Sequence, residues 1–329
     1  IASLLLNPAQ PGELDLPTLT TDVLGSTVDF RLESTPQAGG KVSAVTGVLR
    51  AANLSADLKG ALTPREFSVT TFTADAMLSP ELAERVLPKL VADSSTLPTL
   101  VAPSTVRLSA RPIATPFKPG LVPDLAAATG VAGFDITADR PLVARTPATG
   151  GMAPSIVGLA DLRLLAESPL PAMLSGAKGT ATVSLQAVAL RGTSPETTTR
   201  AGTIKLAALS NLNERSPGLT EFDARVEDLS SAWIDELSGK PGLATNALGP
   251  QSTIVLVGSS ASPTDLKKSP LEASLSISSP TIAAEPLRVM VASDRVSLLQ
   301  PWTATWTILP AFADRFLASP GASTAAMRL

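Results

Sequence analysis

The feature that most constrains this chain is an alternation of apolar and polar residues that returns in stretch after stretch. Val28, Phe30 and Leu32 alternate with Asp29, Arg31 and Glu33, and Val106 and Leu108 alternate with Arg107 and Ser109. Ala181, Val183, Leu185, Ala187 and Ala189 share one parity. So do Ile204 and Leu206, then Leu275 and Ile277, then Leu287, Val289 and Val291. Trp302, Ala304, Trp306 and Ile308 alternate with threonines. A two-residue period sends every second side chain to the same side of a strand, so each run predicts a strand with one face turned from water. The other face is often Ser or Thr, wettable but weakly charged. The 29 prolines and 22 glycines separate the runs, as turns require. The pattern predicts a mainly β fold of repetitive antiparallel sheets, forming an elongated groove or a sandwich. The apolar set Val28, Phe30, Leu32, Val106, Leu108, Val183, Leu185, Leu275, Ile277, Val289 and Val291 is expected to point to a common interior.

A repeat is superimposed on the alternation. Phe72-Thr73-Ala74-Asp75-Ala76-Met77-Leu78-Ser79-Pro80-Glu81-Leu82-Ala83-Glu84-Arg85-Val86-Leu87 aligns without gaps on the segment from Trp302 to Leu317. Thr73, Ala74, Pro80, Ala83, Arg85 and Leu87 recur as Thr303, Ala304, Pro310, Ala313, Arg315 and Leu317. A third copy, from Phe222 to Leu237, needs one inserted residue, and a weaker fourth runs from Leu162 to Leu174. Each copy reads as a strand followed by a short amphipathic helix. Ser79 suits the helix N-cap and Pro80 the first helical position. Leu82, Ala83, Val86, Leu87 and Leu90 fall on one helical face, while Glu81, Glu84, Arg85 and Lys89 face away. Phe312, Ala313, Phe316 and Leu317 make the same stripe, and Trp233, Ile234 and Leu237 make it again before Gly239. Helices are expected near 79–91, 169–176, 230–238 and 310–318, with Leu82, Trp233 and Phe312 in equivalent buried places. The organisation expected is a β-rich unit over 1–120, a second over 121–200, and further units over 201–329. The last repeat stops at Leu329 as its next strand should begin, which is the expectation for an excerpt of a longer repetitive chain.

Composition removes whole classes of chemistry. The chain has no Cys, no His and no Tyr. A cysteine nucleophile, a disulfide, a Ser–His–Asp triad and a His- or Cys-ligated zinc are therefore excluded. Ser175-Gly176-Ala177-Lys178 matches a Ser-x-x-Lys pattern, but the companion elements of such acyl-enzymes are missing and the serine falls at an expected helix end. Glu84 and Asp314 each adjoin an Arg on a helix surface, where an ion pair accounts for them. No phosphate loop, EF-hand or HExxH pattern occurs. No catalytic, cofactor-binding or metal-binding residue is expected, and no cofactor. Charged residues make up 17%, the net charge is -3 and the mean hydropathy is +0.25, so no positive field points to nucleic acid. Trp233, Trp302 and Trp306 read as core anchors rather than a ligand-facing cluster.

Leu78-Ser79-Pro80-Glu81-Leu82-Ala83-Glu84-Arg85-Val86-Leu87, Asp161-Leu162-Arg163 and Leu298-Leu299-Gln300-Pro301-Trp302-Thr303-Ala304 resemble pieces of the AsmA-like repeat proteins of the Gram-negative envelope. The resemblance is one of texture and repeat layout over most of the chain. It implies a long, curved, apolar β-groove in the periplasm, held by an inner-membrane anchor outside this segment. It also implies a role in carrying phospholipid between membranes or in outer-membrane biogenesis. The expected function is thus a non-enzymatic envelope protein that binds or conducts phospholipid acyl chains along an apolar β-groove lined by the parity set above. The alternative is a structural or adhesive repetitive surface protein without ligand, whose repeats simply make length.

Overall fold

The protein is described from a computed structural model, which covers residues 24–90, 99–146, 153–170, 179–213, 216–260, 270–292, 295–308, 310 and 327–328. The chain is mainly β. It begins with β1 (Val28–Pro36), β2 (Ser43–Ala51), β3 (Leu54–Leu62) and β4 (Glu66–Leu78), followed by helix α1 (Pro80–Leu90). Next come β5 (Ser104–Ala110), β6 (Ile113–Lys118), β7 (Thr129–Ala138), β8 (Leu142–Arg145) and β9 (Ile156–Pro169). The three longest hairpin arms after β9 are β10 (Gly179–Gly192), β11 (Thr199–Asn213) and β12 (Ser216–Ser230). Helices α2 (Ser231–Ser238) and α3 (Leu243–Leu248) interrupt the strands. The chain then continues through β13 (Gln251–Ser259), β14 (Leu271–Ser278), β15 (Ile282–Ala284), β16 (Leu287–Val291), β17 (Val296–Leu298) and β18 (Ala304–Ile308). Two-residue strands at Thr99–Leu100, Val122–Pro123 and Met327–Arg328 complete the set.

All these strands pair antiparallel, and their order in space follows their order in sequence. Four positions in this meander hold a strand broken in two. β5 and β6 share both neighbours, β4 and β7, and Pro112 separates them. β7 and β8 both pair with β9 across Pro141. β15 and β16 both pair with β14 across Pro286, and β17 and β18 pair with those two halves across Pro301. Proline has no N–H for the ladder, so each break falls where a strand loses a donor. The described strands build one sheet, not two stacked ones, so the sandwich alternative has no counterpart here. Pairing continues through residues 120 and 200, so the three expected units are stretches of a single sheet.

The expected helices at 79–91 and 230–238 are α1 and α2. The Leu82 N–H donates to Ser79 Oγ at 3.2 Å, the N-cap bond that the sequence announces. Gly239 closes α2 with φ 65, a left-handed conformation that a Cβ would disfavour. Of the other two expected helices, Pro169, Leu170 and Pro310 are described: Leu170 and Pro310 are helical, but Pro169 is still the last residue of strand β9, and residues 171–178 and 311–318 lie outside the described residues. α3 has no counterpart in the sequence reading. The inserted residue of the third repeat has a structural identity. In β12, Glu227 and Asp228 together oppose Thr253, a β-bulge between the pairs Val226/Ile254 and Leu229/Ser252. Asp228 takes φ 52 there, and Asp161 takes φ 50 in the matching bulge of β9. Aspartate tolerates this left-handed region better than most residues.

Counting antiparallel steps from the pairings, β4, β12 and β18 run in the same direction and β9 in the opposite one. The strands of the three stronger repeat copies therefore end at one rim of the sheet, and the strand of the weaker fourth copy at the other.

Burial is sparse: only fourteen apolar side chains are buried among the described residues. Leu82 is among them, but Trp233 is half-buried, and Phe312 lies outside the described residues. Leu237, expected on the buried stripe, is 44% exposed, whereas Ser231, Asp235 and Glu236 are buried. The cause is α3. Asp235 turns inward to accept hydrogen bonds from the Ala244 N–H (2.6 Å), the Thr245 N–H (3.2 Å) and Thr245 Oγ1 (2.6 Å), capping α3. Glu236 pairs with Arg191 at 2.7 Å. These two anchors set the rotation of α2 about its axis.

Candidate functional site

Residues directly opposite in an antiparallel pair share a face, so the registers can be followed from strand to strand. Val28, Phe30 and Leu32 of β1 oppose Ala51, Leu49 and Gly47. These lead through Leu54, Ala56 and Leu58 to Ala76, Ala74 and Phe72. Val106 and Leu108 of β5 oppose Ala76 and Ala74, then Ala138 and Ile136 of β7. Ile136 opposes Leu164, which opposes Leu185, which opposes Leu206, Ala224, Leu256 and Leu275 in turn. Leu275 opposes Leu287, and Val289 and Val291 oppose Leu298 and Val296. All eleven residues singled out by the sequence therefore lie on one face of one sheet. The bulges in β9 and β12 preserve this face. Each inserts one residue where the apolar spacing skips from two to three, as in Val226 to Leu229.

The set forms a common face, not the enclosed interior that the alternation suggests. Phe30 is 68% exposed, Leu32 61%, Val28 44% and Val183 39%, while Val106, Leu108, Leu185, Leu275, Ile277, Val289 and Val291 are half-buried. Sequence reasoning missed further members, among them Leu58, Phe72, Phe134, Ile136, Leu164, Phe222, Ile254 and Leu256. The period-2 signal exists in each, but shorter runs broken by Gly and bulges conceal it. Phe222 lies over Gly258, where an added Cβ would come within 2.4 Å of its ring.

Outside the bulges, among the described residues whose side chains are placed, the only charged one that the registers put on this face is Arg191, while Asp161 of the β9 bulge stands with Leu162 opposite Ala187 of the same face. Arg191 sits at the helix-bearing rim, neutralised by Glu236 of α2. There α2 covers the face: Trp233 and Ile234 pack against the buried cluster Ala189, Ala201 and Leu229, as Ile204 and Val226 of the sheet do. A second patch of cover nearby joins Ile308 and Trp306 to Leu243 and Ala247 of α3. Trp306 Nε1 donates to the Ala247 carbonyl at 2.9 Å, whereas Trp302 is 43% exposed and donates to the Glu285 carbonyl at 2.7 Å. The three tryptophans thus serve different places.

The opposite face is mixed and carries the charge. Cross-strand pairs Arg50–Asp57 (2.9 Å), Arg107–Asp75 (2.7 Å) and Lys205–Glu227 (2.9 Å) lie on it, with Arg163–Asp135 between β9 and β7. Hydrogen bonding to Arg107 holds the Asp75 carboxyl below its ordinary range, and Arg225 does the same for Asp223. A depression of about 710 Å³ opens on this charged face, floored by a row that includes Ser184, Asp223, Val257, Ser274 and Arg288. Glu84 is exposed on α1, as a solvated helix face requires, and residues 175–178 and 314 lie outside the described residues. Among the described residues no cluster of acidic side chains could hold a metal ion, and no helix is long and apolar enough to cross a membrane.

No protein-family model matches the chain, and neither do curated proteins or solved structures. The functional reading therefore rests on the residues themselves.

Proposed function

We propose that this chain is a non-enzymatic envelope protein that binds or conducts phospholipid acyl chains along the apolar face of its sheet. The observation that carries this reading is the face itself. Among the described residues it runs across every consecutive strand from β1 to β17, and outside the bulges its single charged side chain is Arg191, which is neutralised at the rim. Exposed apolar surface on this scale is costly in water and marks a binding site for apolar matter. Each acyl methylene removed from water onto it contributes about 0.8 kcal/mol. Aliphatic side chains with no aimed polar group suit a ligand recognised by its hydrocarbon and not by its headgroup. Placement in the periplasm, with an inner-membrane anchor outside this chain, follows from the AsmA-like resemblance.

The test combines native mass spectrometry of the purified protein with photo-crosslinking from probes at positions flanking Leu185. Co-purified phospholipid, with crosslinks on both sides in the wild type, is the expected outcome. Leu185→Glu places a carboxylate in the middle of the face and should interrupt the crosslinks beyond it while the protein still folds. A wild-type protein that carries no lipid and gives no crosslinks would leave the structural or adhesive role as the better account.

A further inference from the structure

We propose that two copies of this chain pair through β1, edge to edge and antiparallel about a two-fold axis, continuing the sheet from one copy into the other. The inference does not depend on the lipid reading. β1 has β2 on one side and no strand on the other among the described residues. It is nine residues long, free of bulges, and exposed along its whole length. Natural edges are usually shortened, bulged or guarded by inward charge, and an unguarded one is a template for another strand.

The hydrogen-bond phase decides which residues offer the edge. Gln37 N–H donates to the Val42 carbonyl at 2.8 Å, so bonded pairs with β2 recur at Thr35, Glu33, Arg31 and Asp29. The amides of Val28, Phe30, Leu32 and Ser34 therefore point outward. These residues also carry the apolar face, where Phe30 and Leu32 are the most exposed of the β1 side chains named there, at 68% and 61%.

The partner is argued from self-complementarity. Leu32 is the midpoint of Val28–Pro36, so the two-fold register with complete overlap sets Leu32 against Leu32 of the second copy. That register sets Phe30 against Ser34 and Arg31 against Glu33, twice over. Both charged groups are accessible and already attract one another within the strand. The register with Val28 opposite Ser34 would instead set Arg31 against Arg31 and Asp29 against Glu33, both repulsive. Isologous pairing of this kind is the commonest route to a homodimer. Because opposite residues share a face, the apolar faces of the two copies would become one surface.

The chain has no cysteine, so a single introduced thiol reports the register directly. Leu32→Cys should give a disulfide-linked dimer under mild oxidation, since opposed Cα atoms in a bonded pair lie about 5.5 Å apart, within disulfide reach. Ser34→Cys should not, because its counterpart would be displaced by four residues along the strand. In sedimentation experiments the full chain should self-associate. Glu33→Arg should weaken association roughly tenfold or more, and Arg31→Glu with Glu33→Arg should restore it. Circular dichroism verifies that each variant keeps its β structure. A chain that stays monomeric with an unlinked thiol at position 32 overturns the proposal. A dimer linked through position 34, or one indifferent to Glu33→Arg, overturns it equally.

Discussion

The sheet carries one alternation throughout, yet its middle and its β1 edge use it differently. Around β10, β12 and α2 the apolar parity is packed: Ala187 and Ala189 are fully buried and Leu229 is 5% exposed. In β1 the same parity carries Phe30 at 68% exposure. The strands are equally regular in both places. What differs is cover. α2 and α3 lie against the middle of the sheet at one rim, held by the Asp235 cap and the Glu236–Arg191 pair, and nothing described lies over β1. A strand pattern thus states which side is apolar, and a separate element decides whether that side is core or surface.

Truncating an apolar side chain in each of the two regions should separate them most. Leu229→Ala removes a side chain from the Ala189–Ala201 cluster and should cost about 2–4 kcal/mol in urea unfolding. Leu32→Ala, on the open end, should change stability by less than about 0.5 kcal/mol. Equal losses would show that the apolar side of β1 is covered in solution, which edge-to-edge pairing by itself does not do. Next in size, Asp235→Ala should cost about 1–3 kcal/mol, because three hydrogen bonds into α3 disappear. Hydrogen exchange at the Ala244 and Thr245 amides should accelerate, while the β1–β2 hairpin is unchanged. Asp235→Asn keeps one acceptor oxygen and should lose less.

The smallest effect lies on the charged face. Asp75 has its folded-state pKa lowered by Arg107, so its contribution is present above the unfolded value of about 4 and is lost as pH falls through the folded value. Asp75→Asn should flatten that acid limb of the stability curve. The pair is solvent-screened, and the change should stay below about 1 kcal/mol. The apolar variant Leu32→Ala should leave the acid limb as it is.

Local features were legible in the residues. The parity of Val183, Leu185, Ala187 and Ala189, the Ser79–Pro80 helix start and the Gly239 stop are each written within a few residues, because strand period, capping and left-handed turns are short-range properties. The orientation of α2 was not legible. Its apolar stripe points to Leu237, but Asp235 answers a helix eight residues further on, and that competition is settled only by packing. The one-residue insertion in the third repeat was visible as an alignment gap, and only the pairing with Thr253 identifies it as a bulge.

The sequence by itself determined that this protein is a succession of strands, each with an apolar and a polar side, and that it has none of the cysteine or histidine chemistry of many enzymes. The tertiary structure decided that those sides agree. Parity within a strand is local, but its phase from one strand to the next depends on the length of every turn and the place of every bulge, since a slip of one residue sends a whole strand to the opposite face. From Val28 to Val291 the slips cancel, and the apolar sides join into one face.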